Sequence, residues 1–376
     1  MVPAGLLHPG RPGGCCLLVI RGCVHTRFRM PFQLAPMIML FALVMGCVSP
    51  LTSATDTAAP IRRSEYLAVD GARLFLLTRG TDRRAPVLLW LHGGPGGPER
   101  PLFRYFNGVL ETHFVVAYWD QRGAGRSFDP QADPHRLTIS RHLADLDAVV
   151  DHLRKVLGQD KLVLIGHSWG SVLGVLYAQH HPEKVSAFIG VAQVVSWLRT
   201  QQAQYDFVAA EAARRKDEAP LTRLRAMGPP PYETFDQQAA MEDLVDQYGA
   251  VFHKKPCKIC VVIRGMITGL VTPWELLSIH RGIHVSLGAM TSELLSLNLE
   301  RAVPSVGVPV FFFLGRHDRH VDSTIAAGYF ETLRAPRKQL IWFEDSAHNV
   351  PFEEPELFNE TVVSTLRSIA MRRQGP

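Results

Sequence analysis

The sequence predicts an α/β protein in which a mostly parallel central sheet is covered by helices and interrupted by an inserted helical cap. Three observations carry this. From residue 87 onward, short and almost wholly apolar runs alternate with stretches of helical apolar periodicity. That is the pattern of right-handed βαβ crossovers whose strands are buried on both faces. The apolar run ending at Gly166 passes through Gly-x-Ser-x-Gly, residues 166–170, into a helical pattern that reaches His180. Strand, sharp turn and helix follow one another there, and the glycines let the helix pack close to its strand. The alternation stops at about Val194 and resumes at Val308, and the intervening sequence is helical and amphipathic.

These breaks divide the chain into a leader (1–55), a linker (56–63), a first core part (64–193), a cap (194–307) and a second core part (308–376). Arg21, Arg27 and Arg29 precede an apolar run at 37–46. Ten residues are too few to span a bilayer as a helix but suit the core of a signal peptide. The run ends at Cys47 behind Leu-Val-Met-Gly, which resembles a bacterial lipoprotein box with Met45 bulky for its place. The expectation is an exported protein, periplasmic, secreted or anchored in the membrane through a lipid on Cys47. Cleavage after Ala54 and a cytoplasmic chain starting at Met30 are the competing readings. Thr52 to Ala59 is small and polar, and residues 56–63 are read as a linker.

The formal net charge is +5, but residues 1–63 hold six arginines against Asp56 alone. The remainder is therefore neutral, and no nucleic-acid partner is expected. Hydrophobic residues make up 47% of the chain and charged ones 20%, enough to build a sizeable core. Four of six cysteines lie in the leader. Cys257 and Cys260 form a Cys-x-x-Cys with no second pair to complete a zinc site. They read as half-buried thiols or a local disulfide, and no metal is expected.

In order, residues 65–77 read as two strands joined at Asp70-Gly71, a strong hairpin signal. A buried strand at 87–92 runs into Gly-Gly-Pro-Gly-Gly at 93–97, and the strand 114–120 runs into the loop 121–127. Leu143, Leu146, Val149, Val150, Leu153 and Val156 recur at helical spacing. The helix after Ser168 is ended by Pro182, and a strand follows at 186–193. The cap carries a hinge-like Gly-Pro-Pro-Pro at 228–231. Beyond it come a strand at 308–315, a helix at 324–333, a strand at 339–344 and a closing helix at 354–372.

The turn at Ser168 is a nucleophile elbow. Serine needs a base within hydrogen-bond reach and a third group to orient that base. In this architecture both come from loops at the carboxyl ends of later strands, acid first. Asp318 follows the Phe-rich strand and is the expected acid, with Asp322 as runner-up because it is better placed to cap the next helix. His348 follows the last strand and is the expected base. His317 and His320 lie too near Asp318 in sequence to be its partner. The backbone N–H of Trp169 would supply one oxyanion donor, and Gly93 or Gly94 the other. The glycine loop lacks a following Lys-Ser/Thr and is not a phosphate cradle. His92 is expected to anchor that loop, and Asp120 and Arg122 to brace theirs against each other.

Three motifs together, His-Gly-Gly-Pro-Gly at 92–96, Trp-Asp-Gln-Arg-Gly-Ala-Gly-Arg-Ser at 119–127 and Gly-His-Ser-Trp-Gly-Ser at 166–171, resemble the prolyl aminopeptidase (proline iminopeptidase) family of α/β-hydrolases. The resemblance covers about 64–193 and 308 to the end. It implies the α/β-hydrolase fold, a triad of Ser168, Asp318 and His348, oxyanion donors at Gly94 and Trp169, removal of an N-terminal proline, and no metal or cofactor. Two departures stand out. His167 occupies a position where these peptidases usually have glycine. The cap glutamates that hold the substrate's amine have no recognisable counterparts, so Glu242, Glu275 and Glu293 are the candidates, with Trp274 against the substrate side chain. The expected partner is a small peptide, or a small ester, lactone or amide. A non-catalytic binder is the reading from another class.

Overall fold

The computed structural model describes residues 59–254, 265–267 and 269–373. They fall within one unit of the chain, Asp56–Pro376; the other, Met1–Thr55, lies outside the described residues, and with it the export segment and Cys47. Cys257 and Cys260 also lie outside them.

Eight strands form one sheet: β1 (Ile61–Val69), β2 (Ala72–Gly80), β3 (Val87–Leu91), β4 (Val115–Asp120), β5 (Leu162–His167), β6 (Val185–Val191), β7 (Val310–Gly315) and β8 (Lys338–Phe343). Their order is β1-β2-β4-β3-β5-β6-β7-β8. β2 is antiparallel to both β1 and β4, and every later pairing is parallel. β1 starts at Ile61, inside the stretch read as linker, because its first residues pair with the end of β2 (Ile61 opposite Gly80). The turn between them has positive φ at both Asp70 (42°) and Gly71 (75°), the geometry that matches the twist of a two-residue hairpin.

The continuous apolar runs are strands with two buried faces. Along β3, Leu89 and Leu91 enter one core cluster while Leu88 and Trp90 enter the other. Along β7, Val310, Phe312 and Leu314 alternate in the same way with Phe311 and Phe313. The helices covering the sheet are α1 (Arg100–Asn107), α2 (Ile139–Leu157), α3 (Trp169–His180), α9 (Ser323–Thr332), α10 (Val350–Glu353) and α11 (Pro355–Arg373). α1 is additional to the elements read from sequence and fills the β3–β4 crossover.

Between β6 and β7 the chain builds a cap from α4 (Trp197–Arg215), α5 (Glu218–Met227), α6 (Phe235–Gln247), α7 (Pro273–Ser296) and α8 (Leu299–Ala302). The first three close on a small cluster of their own that includes Val208, Leu224, Met241 and Leu244. α7 instead lies against the core loops. A Cβ added at Gly282 would stand 2.7 Å from the Gly123 carbonyl oxygen and 2.9 Å from that of Gly96. No side chain fits there, so the cap helix touches the backbones of two glycine-containing motifs at once.

Candidate active site

Ser168 sits between β5 and α3 with φ 51° and ψ −120°, a conformation that costs a non-glycine residue about 1–3 kcal/mol. The surroundings impose it. A Cβ at Gly166 would collide with the Gly170 carbonyl, and one at Gly170 with the Leu91 carbonyl. The Ser168 N–H donates to Val191 O (3.0 Å). Its carbonyl accepts from the N–H (2.9 Å) and the Oγ (2.5 Å) of Ser171. Ser171 Oγ accepts in turn from Val194 N–H (3.0 Å). The serine is thus held through its backbone on both sides.

A buried chain of hydrogen bonds joins the three motifs. Trp169 Nε1–H donates to Gln121 Oε1 (2.9 Å), and Gln121 Nε2–H donates to His92 O (2.8 Å). His92 Nε2 accepts from the Gln121 N–H (3.0 Å), which leaves the proton on Nδ1 to reach Gly93 O (2.8 Å). Burial pushes the His92 imidazole down, toward its neutral form. His92 therefore anchors the glycine loop, as its sequence position implies. Gly94 has φ 120°, and a Cβ there would lie 2.7 Å from the amide nitrogens of Gly96 and Gly97.

Asp318 and His348 come together as the sequence order predicts. Asp318 Oδ2 lies 3.1 Å from His348 Nδ1, while Oδ1 accepts from the N–H groups of His320 (2.8 Å) and Val321 (3.1 Å). Asp322 takes the other role weighed for it, capping α9 by accepting from Thr324 N–H (2.9 Å). Burial raises the Asp318 carboxyl to about 6. Burial, followed by the neighbouring His320 and His167, holds His348 well below the ordinary imidazole range. The Asp318-paired ring is therefore neutral around pH 7.

Ser168, His348, Gly93 and Gly94 line a cavity of about 430 Å³ between the carboxyl edge of the sheet and the cap. The cap side is mostly apolar, with Trp197, Tyr232, Phe235, Ile279, Ile283 and Leu287. Of the three glutamates singled out, only Glu242 lines it. Glu275 is buried elsewhere, paired with Arg100 and with Arg126 (2.9 Å), and its other oxygen closes a capping box with Thr272. Glu293 Oε2 accepts from the Ile139 N–H at the start of α2 (2.8 Å). Both are structural and are withdrawn as substrate ligands. The Trp274 side chain lies outside the described residues. Asp120 and Arg122 do brace loops, but not each other: Asp120 pairs with Arg100 (3.2 Å), and Arg122 with Asp145 (2.7 Å). β4 ends at Asp120, and the chain turns away before Arg122.

Sequence reasoning passed over Glu99. It lines the cavity, and its Oε1 lies 2.7 Å from His167 Nδ1. Burial acts to raise its pKa, but His167 outweighs that and holds it below the usual carboxylate range. The available signal was the histidine next to Ser168, since a buried ring there needs a partner. His320 also lines the cavity, its ring 4.5 Å from that of His348.

Comparison with known proteins bears on this geometry. Residues 86–355 match the family model of the alpha/beta hydrolase fold. A probable aminopeptidase, YbaC, from Bacillus subtilis (strain 168) is 32% identical over 299 residues, 79% of this chain and 93% of the relative. A proline iminopeptidase from Xylella fastidiosa (strain Temecula1 / ATCC 700964) is 36% identical over 130 residues, 34% of this chain and 39% of that protein. Among solved structures, the proline iminopeptidase of Mycobacterium smegmatis aligns with a TM-score of 0.60 at 20% identity, covering 83% of this chain and all of that one. That last likeness is one of fold, while the first two relatives bear out the sequence resemblance. Since the family match runs from the residue before β3 to the start of α11 and so encloses the elbow, the cap and the Asp318–His348 pair, the chain belongs to the α/β-hydrolase fold family.

Proposed function

We propose that the chain is a serine hydrolase that removes the N-terminal residue, proline by resemblance, from short peptides. The observation that carries the reading is the shared cavity. Ser168 and His348 line it together, and Asp318 faces Nδ1 of that histidine, leaving Nε2 for the serine proton. As Ser168 Oγ attacks the substrate carbonyl carbon, its proton passes to His348 Nε2. The carbonyl oxygen takes up the electron pair and is met by the N–H groups of Trp169 and of Gly94 or Gly93. The intermediate expels the amine, which collects the proton from His348. Water, deprotonated by the same histidine, then releases the acyl group and restores Ser168.

The substrate's ammonium needs a carboxylate, because burying it unpaired costs several kcal/mol. Glu242 on α6 is the candidate, facing a cavity whose apolar wall accepts a proline ring. The test compares a prolyl anilide with its N-acetyl form, on wild type and on Glu242→Gln. A strong preference for the free amine, lost in the variant, supports the peptidase. Equal rates would assign the site to esters or small amides instead, a second reading favoured by the apolar cap wall. In either case Ser168→Ala or His348→Ala should lower kcat by about 10⁴-fold or more, with the double variant little worse. A fluorophosphonate should label Ser168. Multiplying single effects, or turnover that survives Ser168→Ala, would defeat the serine mechanism. Export through residues 1–55, with a lipid on Cys47 as one route, remains a separate proposal; mass spectrometry of the mature N-terminus tests it.

A further inference from the structure

We propose that Glu99 and His167 form a part-buried ion pair whose imidazolium clamps the backbone of His348, making both of them positioning residues for the general base. The inference rests on the serine-hydrolase reading above. A neutral imidazole carries one N–H. Both ring nitrogens of His167 face acceptors: Nδ1 lies 2.7 Å from the Glu99 carboxylate, and Nε2 lies 3.0 Å from the His348 carbonyl oxygen. With the Glu99 carboxylate ionised, either neutral tautomer would set a nitrogen lone pair against an oxygen lone pair. Against an ionised Glu99 only the doubly protonated ring satisfies both contacts; the alternative is a neutral pair, with the proton on the carboxyl and a single ring N–H at Nε2. A buried cation needs a counter-charge, and Glu99 is placed to provide it. Burial opposes charge on each member, yet His167 is held above the ordinary imidazole range and Glu99 below the carboxylate range, each mainly by the other.

The pair reaches the base through its main chain. The His348 N–H donates to Val251 O (3.2 Å), its carbonyl faces His167, and its ring faces Asp318. Three contacts thus hold the residue on both sides of its Cα and at Nδ1. His167 is also the chain neighbour of Ser168, so a single peptide link ties clamp to nucleophile. The groups facing His348 are Asp318, His320 and His167, with Glu99 behind His167. The His167 and His348 rings are 4.9 Å apart, so a cation on the first disfavours a second on the base. A glycine at 167 would offer neither the donor nor the charge.

Ring-nitrogen NMR of the full chain at about pH 8, well above the ordinary imidazole range, tests the charge directly. His167 is assigned among the 16 histidines by its loss in His167→Gln. Two protonated nitrogens are expected, and a single one overturns the proposal. The positioning role is read from Glu99→Gln turning over a prolyl anilide. We expect kcat to fall about 10- to 100-fold, KM to stay within about twofold, and the acid limb of kcat/KM to move to higher pH. Wild-type kcat with an unmoved limb overturns it. The nitrogen signature needs no turnover, so it stands or falls separately from the hydrolase reading, which Ser168→Ala decides.

Discussion

Asp318 is fully buried, and removal from water raises its carboxyl to about 6 against the pull of His320 and the two amides that face it. Two consequences follow from the sign of that shift. The ionised form is the one that holds the protonated Nδ1 of His348, and it is lost as pH falls through about 6. kcat/KM should therefore be flat above pH 7 and decline through about 6, and a limb unmoved from the ordinary carboxylate range would contradict this. The folded state also binds this proton more tightly than the unfolded chain, whose Asp titrates at 3.8. Ionisation at neutral pH thus costs the fold about 3 kcal/mol, a cost absent below 3.8 and complete above about 6. Asp318→Asn should lose activity by about 10⁴-fold while its melting temperature at pH 7.5 stays level or rises. A large fall in melting temperature would show that the charge stabilises the site.

At the scale of elements, α7 decides whether the cavity is closed. Its N-terminus is fixed by the Thr272–Glu275 capping box, and Glu275 also binds Arg100 and Arg126 beneath it. About two helical turns beyond Glu275, Gly282 rests on the carbonyls of Gly96 and Gly123. Backbone cannot yield there as a flexible side chain would. Gly282→Val should therefore destabilise by about 1–3 kcal/mol and raise KM for a small substrate, because the wall carrying Ile279, Ile283 and Leu287 is lifted. Denaturant melts and steady-state kinetics check this. Unchanged values for both would mean that the cap does not rest on these loops.

Over the whole molecule, the apolar clusters on the two faces of the sheet draw only on residues from Ile61 onward among those described. Among the described residues the earliest tie to the sheet domain is the Ala59 carbonyl, which accepts from Arg83 N–H (2.8 Å). A chain beginning at Ala59 should unfold in one cooperative transition at the full chain's midpoint and keep its kcat/KM. A lowered midpoint would assign residues 1–58 a share in the fold.

Much of this was legible in the sequence because it is local. Strands buried on both faces need unbroken apolar runs, as at 87–91 and 310–314. A serine on a strained turn needs glycine at 166 and 170. The loops after β7 and β8 present Asp318 and His348 in the order the sheet imposes. The partners of buried charges were not legible, because they are chosen across the chain. Glu275 meets Arg100 from 175 residues away, and Glu99 meets His167 from 68 away. Nothing in the spacing around either residue encodes that meeting. Periodicity states which face a side chain takes, but only the folded chain decides which opposite charge waits there. So the sequence determined the sheet, the cap and the Ser168–Asp318–His348 order. The tertiary structure alone decided that Glu275 and Glu293 serve the scaffold, and that Glu99 meets His167, the chain neighbour of Ser168.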